Sequence, residues 1–142
     1  MTPIHILLVE DNAGDILLTT EALGEGKIAN TISVVKDGWE ALQYLQKNGK
    51  YAGVQSPDLI ILDINLPKIN GHEVVNYVKT NHELKSIPVV MLTTSASPND
   101  SLKSFENKAD CFITKPVDAK DFMGVIASIE NFWISIIHKP KH

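Results

Sequence analysis

The sequence predicts an α/β fold, a doubly wound (βα)5 sandwich in which a parallel sheet is covered by helices on both faces. Two observations carry that prediction. Short apolar runs without alternation, such as Ile4–Val9, Leu59-Ile60-Ile61-Leu62 and Val89-Val90-Met91-Leu92, have the length and β-branched content of strands buried on both sides. Between them lie segments opened by N-capping residues and carrying apolar side chains at helical spacing. The run ending at Asp63 is central, because it passes from four apolar residues into a carboxylate and then a turn marked by Pro67, Asn70 and Gly71. In open α/β sheets that carboxyl edge is where ligands bind.

The 142 residues suit one domain, residues 1–142, large enough to bury roughly 70% of its unfolded surface. With 44% hydrophobic and 21% charged residues, neither disorder nor a fibrous class is indicated. A formal charge of −4 argues against a nucleic-acid partner, which calls for a basic face. Met1-Thr2-Pro3-Ile4-His5 has no basic region of a signal peptide, and no apolar stretch approaches the ~20 residues that span a bilayer. Cys111 stands alone, so no internal disulfide forms. The expectation is a cytoplasmic domain without membrane contact.

In chain order, Ile4–Val9 is the first strand and ends in Glu10-Asp11. Asn12 and Asp15 are cap and first-turn residues of a helix over Ile16, Leu17, Thr20 and Leu23, stopped by Gly24 and Gly26. Thr31–Val35 is the second strand. Asp37 and Glu40 have capping-box spacing and open a helix over Ala41, Leu42 and Leu45, which Gly49 closes. Lys50 to Ser56 forms a long surface connection without evident chemistry. After the Asp63 strand, Asn70 and Glu73 repeat the capping box for a helix over Val74, Val75 and Val78 that extends toward Leu84. Pro88 introduces the fourth strand, and Ser97 to Asp100 open a short helix carrying Leu102 and Phe105. Cys111–Thr114 is the fifth strand. The final helix carries Phe122, Val125, Ile126, Ile129, Phe132, Trp133, Ile136 and Ile137 as a core-facing stripe. For this pattern the strand order is 2-1-3-4-5, the flavodoxin-like arrangement.

That order brings Glu10, Asp11, Asp63, Thr93 and Lys115 to one edge. Clustered carboxylates repel and raise at least one pKa unless a cation sits among them. An all-oxygen donor set on an open rim suits Mg2+ or Mn2+ better than zinc. A lysine and a hydroxyl opposite the acids fit a tetrahedral oxyanion, and a phosphoryl group meets that description. Asp63 is then the in-line nucleophile that becomes an aspartyl phosphate.

Val9-Glu10-Asp11-Asn12, Asp63-Ile64-Asn65-Leu66-Pro67 with Gly71, Pro88–Thr93 and Phe112-Ile113-Thr114-Lys115-Pro116 resemble, in order and spacing, the four signatures of the response-regulator receiver domain. The resemblance implies that Asp63 accepts phosphoryl from a sensor histidine kinase. It implies Mg2+ held by Glu10, Asp11, Asp63 and the backbone carbonyl of Asn65, with Thr93 and Lys115 on the phosphoryl oxygens. Thr93 and Phe112 correspond to the switch pair, and Pro116 to a proline whose preceding peptide is usually cis. Asn65 and Ser95 would flank the phosphoryl group and tune its hydrolysis. Thr93-Thr94, the Cys111–Lys115 ending, the long connection before Pro57 and the Phe132-Trp133 pair resemble single-domain regulators that work with bacterial phytochromes. Lys108 departs from the glycine common ahead of the fifth strand, and Phe112 lacks the hydroxyl of the commoner tyrosine.

The function expected is a phosphorylation-controlled binding module rather than an enzyme, acting on an unidentified downstream protein. Its output surface would comprise the helix after the fourth strand, the fifth strand and the last helix. Aromatic surface left over at Trp133 and Ile137 suggests a homodimer. A haloacid-dehalogenase-type phosphatase would normally carry a second aspartate where Asn65 stands. A degenerate receiver acting as a constitutive scaffold would usually have lost an acid, the acceptor or the lysine, and none is lost here.

Overall fold

The computed structural model describes residues 3–64, 66, 68–93, 109–115 and 121–137. Five parallel strands, β1 (Ile4–Val9), β2 (Asn30–Val35), β3 (Leu59–Asp63), β4 (Val89–Thr93) and β5 (Cys111–Thr114), lie in the order β2-β1-β3-β4-β5. The described helices are α1 (Ala13–Glu25), α2 (Gly38–Gln46), α3 (Gly71–Thr80) and α4 (Phe122–Ile137). The expected helix at Ser97–Phe105 lies outside the described residues, as do Lys108 and Pro116.

Strand residues project alternately to the two faces, which divides the apolar core in two. Leu7, Val9, Ile60, Leu62, Val89 and Met91 pack with Ala41, Tyr44 and Leu45 of α2 and Val74, Val75 and Val78 of α3. Ile6, Leu8, Leu59, Ile61, Val90 and Leu92 pack with Ala22 and Leu23 of α1 and Val125, Ile126 and Ile129 of α4. All five residues of β3 are buried, as the unalternated run requires. Because the sheet is covered on both sides, only its ends admit polar ligands.

The expected capping residues act as such. Asn12, Asp37 and Asn70 accept hydrogen bonds from the backbone N–H groups of Asp15, Glu40 and Glu73. Two glycines fix how closely the loops approach the strand ends. A Cβ at Gly71 would stand 2.7 Å from the Asp63 carbonyl oxygen and 2.9 Å from the Ile64 Cα, and one at Gly38 would overlap the Ile69 carbonyl. Only glycine therefore lets α3 begin directly against the end of β3, and α2 against the loop between them.

Helix ends differ from expectation where a glycine misled. Gly24 lies inside α1, whose cap is Gly26. Lys47, with φ 58°, supplies the left-handed cap of α2, while Gly49 begins a 3-10 turn at Gly49–Tyr51. α3 stops at Thr80, and Leu84 is buried from the following turn. The connection after α2 is less superficial than expected, since Tyr51 and Val54 pack on the core and the Tyr51 hydroxyl donates to Glu40 at 2.7 Å. Trp133 is half-buried against the α1/α4 core rather than left over at the surface, and the large apolar side chains of α4 that are exposed among the described residues are Met123 and Ile134. The Ile137 side chain lies outside the described set.

Candidate functional site

Register builds the site. β1 and β3 are neighbours with Val9 opposite Leu62, so the residues that follow, Glu10 and Asp63, leave the sheet side by side. Asp63 is itself opposite Leu92 of β4, and Leu92 is opposite Ile113 of β5, two residues before Lys115. The lysine thus starts beyond the edge of an outer strand and reaches back over the end of β4.

Its ammonium meets three carboxylates: Glu10 Oε1 at 2.5 Å, Asp15 Oδ2 at 2.9 Å and Asp63 Oδ2 at 2.9 Å. An ammonium has three protons to donate, and these three contacts match them in number. Glu10 and Asp63 are almost inaccessible, at 1% and 4% exposure, whereas Asp11 is exposed and Asp15 lies at the rim. The Glu10 Oε2 also accepts the backbone N–H of Asn12 at 3.2 Å.

The charges of this edge do not balance. Among the described residues, Glu10, Asp11, Asp15 and Asp63 face one lysine. Burial pushes the Glu10 carboxyl from its ordinary 4.5 up to about 7, and its hydrogen bond with Asp63 adds to the rise while Lys115 opposes it. Burial alone would depress the lysine, but its bonds to Glu10, Asp15 and Asp63 outweigh that and hold its pKa above the ordinary value. Lys115 is therefore charged at neutral pH, and the inner acids want more positive charge than one ammonium provides.

A divalent cation would supply it. Ligand oxygens of Glu10, Asp11 and Asp63 all lie within 4.8 Å of one another. Hard oxygen donors, no His or Cys, and one exposed member that leaves room for water fit Mg2+ or Mn2+.

Of the sequence-derived site residues, the structure brings Glu10, Asp11, Asp63 and Lys115 together. Thr93 ends β4 opposite Thr114 at the same edge, but its side chain lies outside the described set. Asn65 and Ser95 lie outside the described residues. Phe112 is on β5 opposite Met91 and 40% exposed. Sequence reasoning missed Asp15 as a partner of the lysine, having treated it as a first-turn acid. Its position in the first turn of a helix that starts at the acidic edge was the available signal.

Residues 6–127 match the family described as the response regulator receiver domain. Response regulator Rcp1 of Synechocystis is 41% identical over 138 residues, covering 97% of this chain and 94% of that protein. Two solved structures are similar throughout. The phosphorylated cyanobacterial phytochrome response regulator RcpA superposes with a TM-score of 0.89 at 41% identity, covering 95% of this chain and 96% of its own. The Mn2+-bound form of Rcp1 gives 0.88 at 40% identity, covering 98% and 100%.

Proposed function

Because the chain belongs to the response-regulator receiver family, we propose that it is a single-domain regulator whose Asp63 accepts a phosphoryl group from a sensor histidine kinase. The observation that carries this reading is the environment of Asp63. A buried strand-end carboxylate is met at 2.9 Å by a half-buried ammonium, beside Glu10 and Asp11.

In the transfer, an Asp63 Oδ forms a bond to phosphorus as the phosphorus–nitrogen bond of a phosphohistidine breaks. The imidazole leaves with the electron pair and takes up a proton. Glu10, Asp11, Asp63 and the backbone carbonyl of Asn65 would hold Mg2+, or Mn2+ in its place. When bound, that ion supplies charge neutralisation for the phosphoryl oxygens. Lys115 contributes a second positive charge from within the low-dielectric edge, where it counts for more than in water. Thr93 contributes a hydroxyl donor, and Asn65 and Ser95 flank the product and tune its hydrolysis by water.

The signal leaves through a protein surface. Drawing Thr93 toward the phosphoryl group would let Phe112 repack, and a half-exposed ring on an edge strand has room to do so. The donor kinase is phytochrome-like on this reading, which the similarity to RcpA supports. The output partner is a protein, with neither nucleic acid nor membrane involved, and a homodimer through the end of α4 belongs to the same proposal. Among the described residues, no helix is long and apolar enough to cross a membrane.

The test is incubation with acetyl phosphate, with and without Mg2+, of wild type and Asp63→Asn. An acid-stable, base-labile adduct confined to wild type with Mg2+ supports the proposal. No adduct under conditions where the metal binds would replace it with a constitutive scaffold.

A further inference from the structure

Among the described residues, the lysine has one carboxylate partner outside the cluster that could hold a metal ion. Glu10 and Asp63 belong to the cluster that would hold a divalent cation, but Asp15, whose Oδ2 lies 2.9 Å from the Lys115 ammonium, does not. A cation on the inner oxygens would compete for two of the ammonium's three acceptors and repel it. Asp15 remains. Its place is well fixed, because its backbone N–H donates to the Asn12 cap at 2.9 Å at the start of α1. Its side chain is 29% exposed, so the pair sits at the boundary between the buried edge and solvent.

Resting on the receiver reading, we propose that Asp15 is a positioning residue for Lys115. Its carboxylate holds the ammonium at the rim when a divalent cation occupies Glu10, Asp11 and Asp63. The cation and the lysine thereby share one edge without competing for the same oxygens. Without Asp15, the lysine would settle on Glu10 and Asp63 and would have to be displaced at greater cost.

The test uses Mn2+ alone, titrated into the full chain with free Mn2+ read by its EPR signal. Asp15→Asn should weaken Mn2+ binding roughly three- to tenfold, from the loss of one nearby charge pair at a partly exposed position. Asp15→Glu, which keeps the charge, should recover wild-type affinity within about twofold. Glu21→Gln removes an exposed α1 charge that makes no contact with Lys115, and should change affinity by less than about twofold. The decisive comparison is the double-mutant cycle with Lys115→Met. If Asp15 acts through the lysine, the Asp15→Asn effect shrinks by at least half in that background. An equal effect in both backgrounds, or one no larger than that of Glu21→Gln, overturns the proposal. Mn2+ binding that is unchanged in Asp11→Asn would instead overturn the metal reading beneath it, independently of any phosphorylation assay.

Discussion

Glu10→Gln, measured across pH without metal, tests whether the charge excess at the sheet edge is real. A carboxyl that titrates near 4.5 when unfolded and near 7 when folded keeps its proton in the native state through the interval between those values. There the folded chain binds more protons than the unfolded one, so unfolding free energy falls as pH rises, by about 1.4 kcal/mol per pH unit for one proton. The stabilisation is fully present below the unfolded value and has gone above the folded one. Across the window the contribution is on the order of 3 kcal/mol, an upper figure because Glu10 titrates together with Asp63. Glutamine keeps the shape and cannot ionise, so the variant should match wild type below about pH 4.5, gain on it up to about pH 7 and hold a level advantage above that. Urea unfolding in EDTA measures the difference, with the slope on denaturant checked for constancy. Saturating Mg2+ should flatten the wild-type dependence, because the ion replaces the proton as the neutralising charge. A wild-type minus variant difference that stays level with pH, or grows in the opposite direction, would refute the argument.

Three further substitutions probe the frame around that edge. Glu130 is a buried acid whose Oε2 accepts the backbone N–H groups of Lys27 at 2.5 Å and Ile28 at 3.1 Å, so Glu130→Ala should cost about 2–3 kcal/mol in urea unfolding. Gly71→Ala should destabilise by roughly 1–3 kcal/mol and also weaken Mn2+ binding, because its Cβ would press on the Asp63 carbonyl. Tyr51→Phe should lose about 1 kcal/mol with the bond to Glu40. Burial and Glu40 push the Tyr51 phenol up to about 12, so one tyrosine absorbance transition should disappear from the top of an alkaline titration in that variant.

The fold was legible because its inner strands are buried on both faces. β1 and β3 begin and end as expected, since apolar runs bounded by polar residues leave little freedom in register, and the short edge strand β5 also keeps its expected bounds. Caps were equally readable at Asn12, Asp37 and Asn70, where a side-chain oxygen meets an N–H three residues on. Helix C-termini were not. Gly24 and Gly49 looked like terminators, yet the left-handed position that ends α2 is filled by Lys47, because tertiary packing decides which residue must take positive φ. At the site, Glu10, Asp11, Asp63 and Lys115 could be placed from strand order alone. Asp15 could not, because its partnership depends on where a long side chain from β5 comes to rest.

That resting place connects stability to function. Lys115 spans from the outermost strand to β1, so in the metal-free state it acts as a cross-strand tie among acids that would otherwise repel. The tie is incomplete, because among the described residues four carboxylates share one ammonium. An edge in that condition gains from any added positive charge and resists added negative charge, and a phosphoryl group brings about two negative charges at neutral pH. On the proposed reading, phosphorylation of Asp63 would be unfavourable at this edge without a divalent cation, so the metal would be needed before the chemistry as well as during it. On that reading, the burial that shields and orients the strand-end aspartate is the same burial that would make its chemistry depend on a cation from solution.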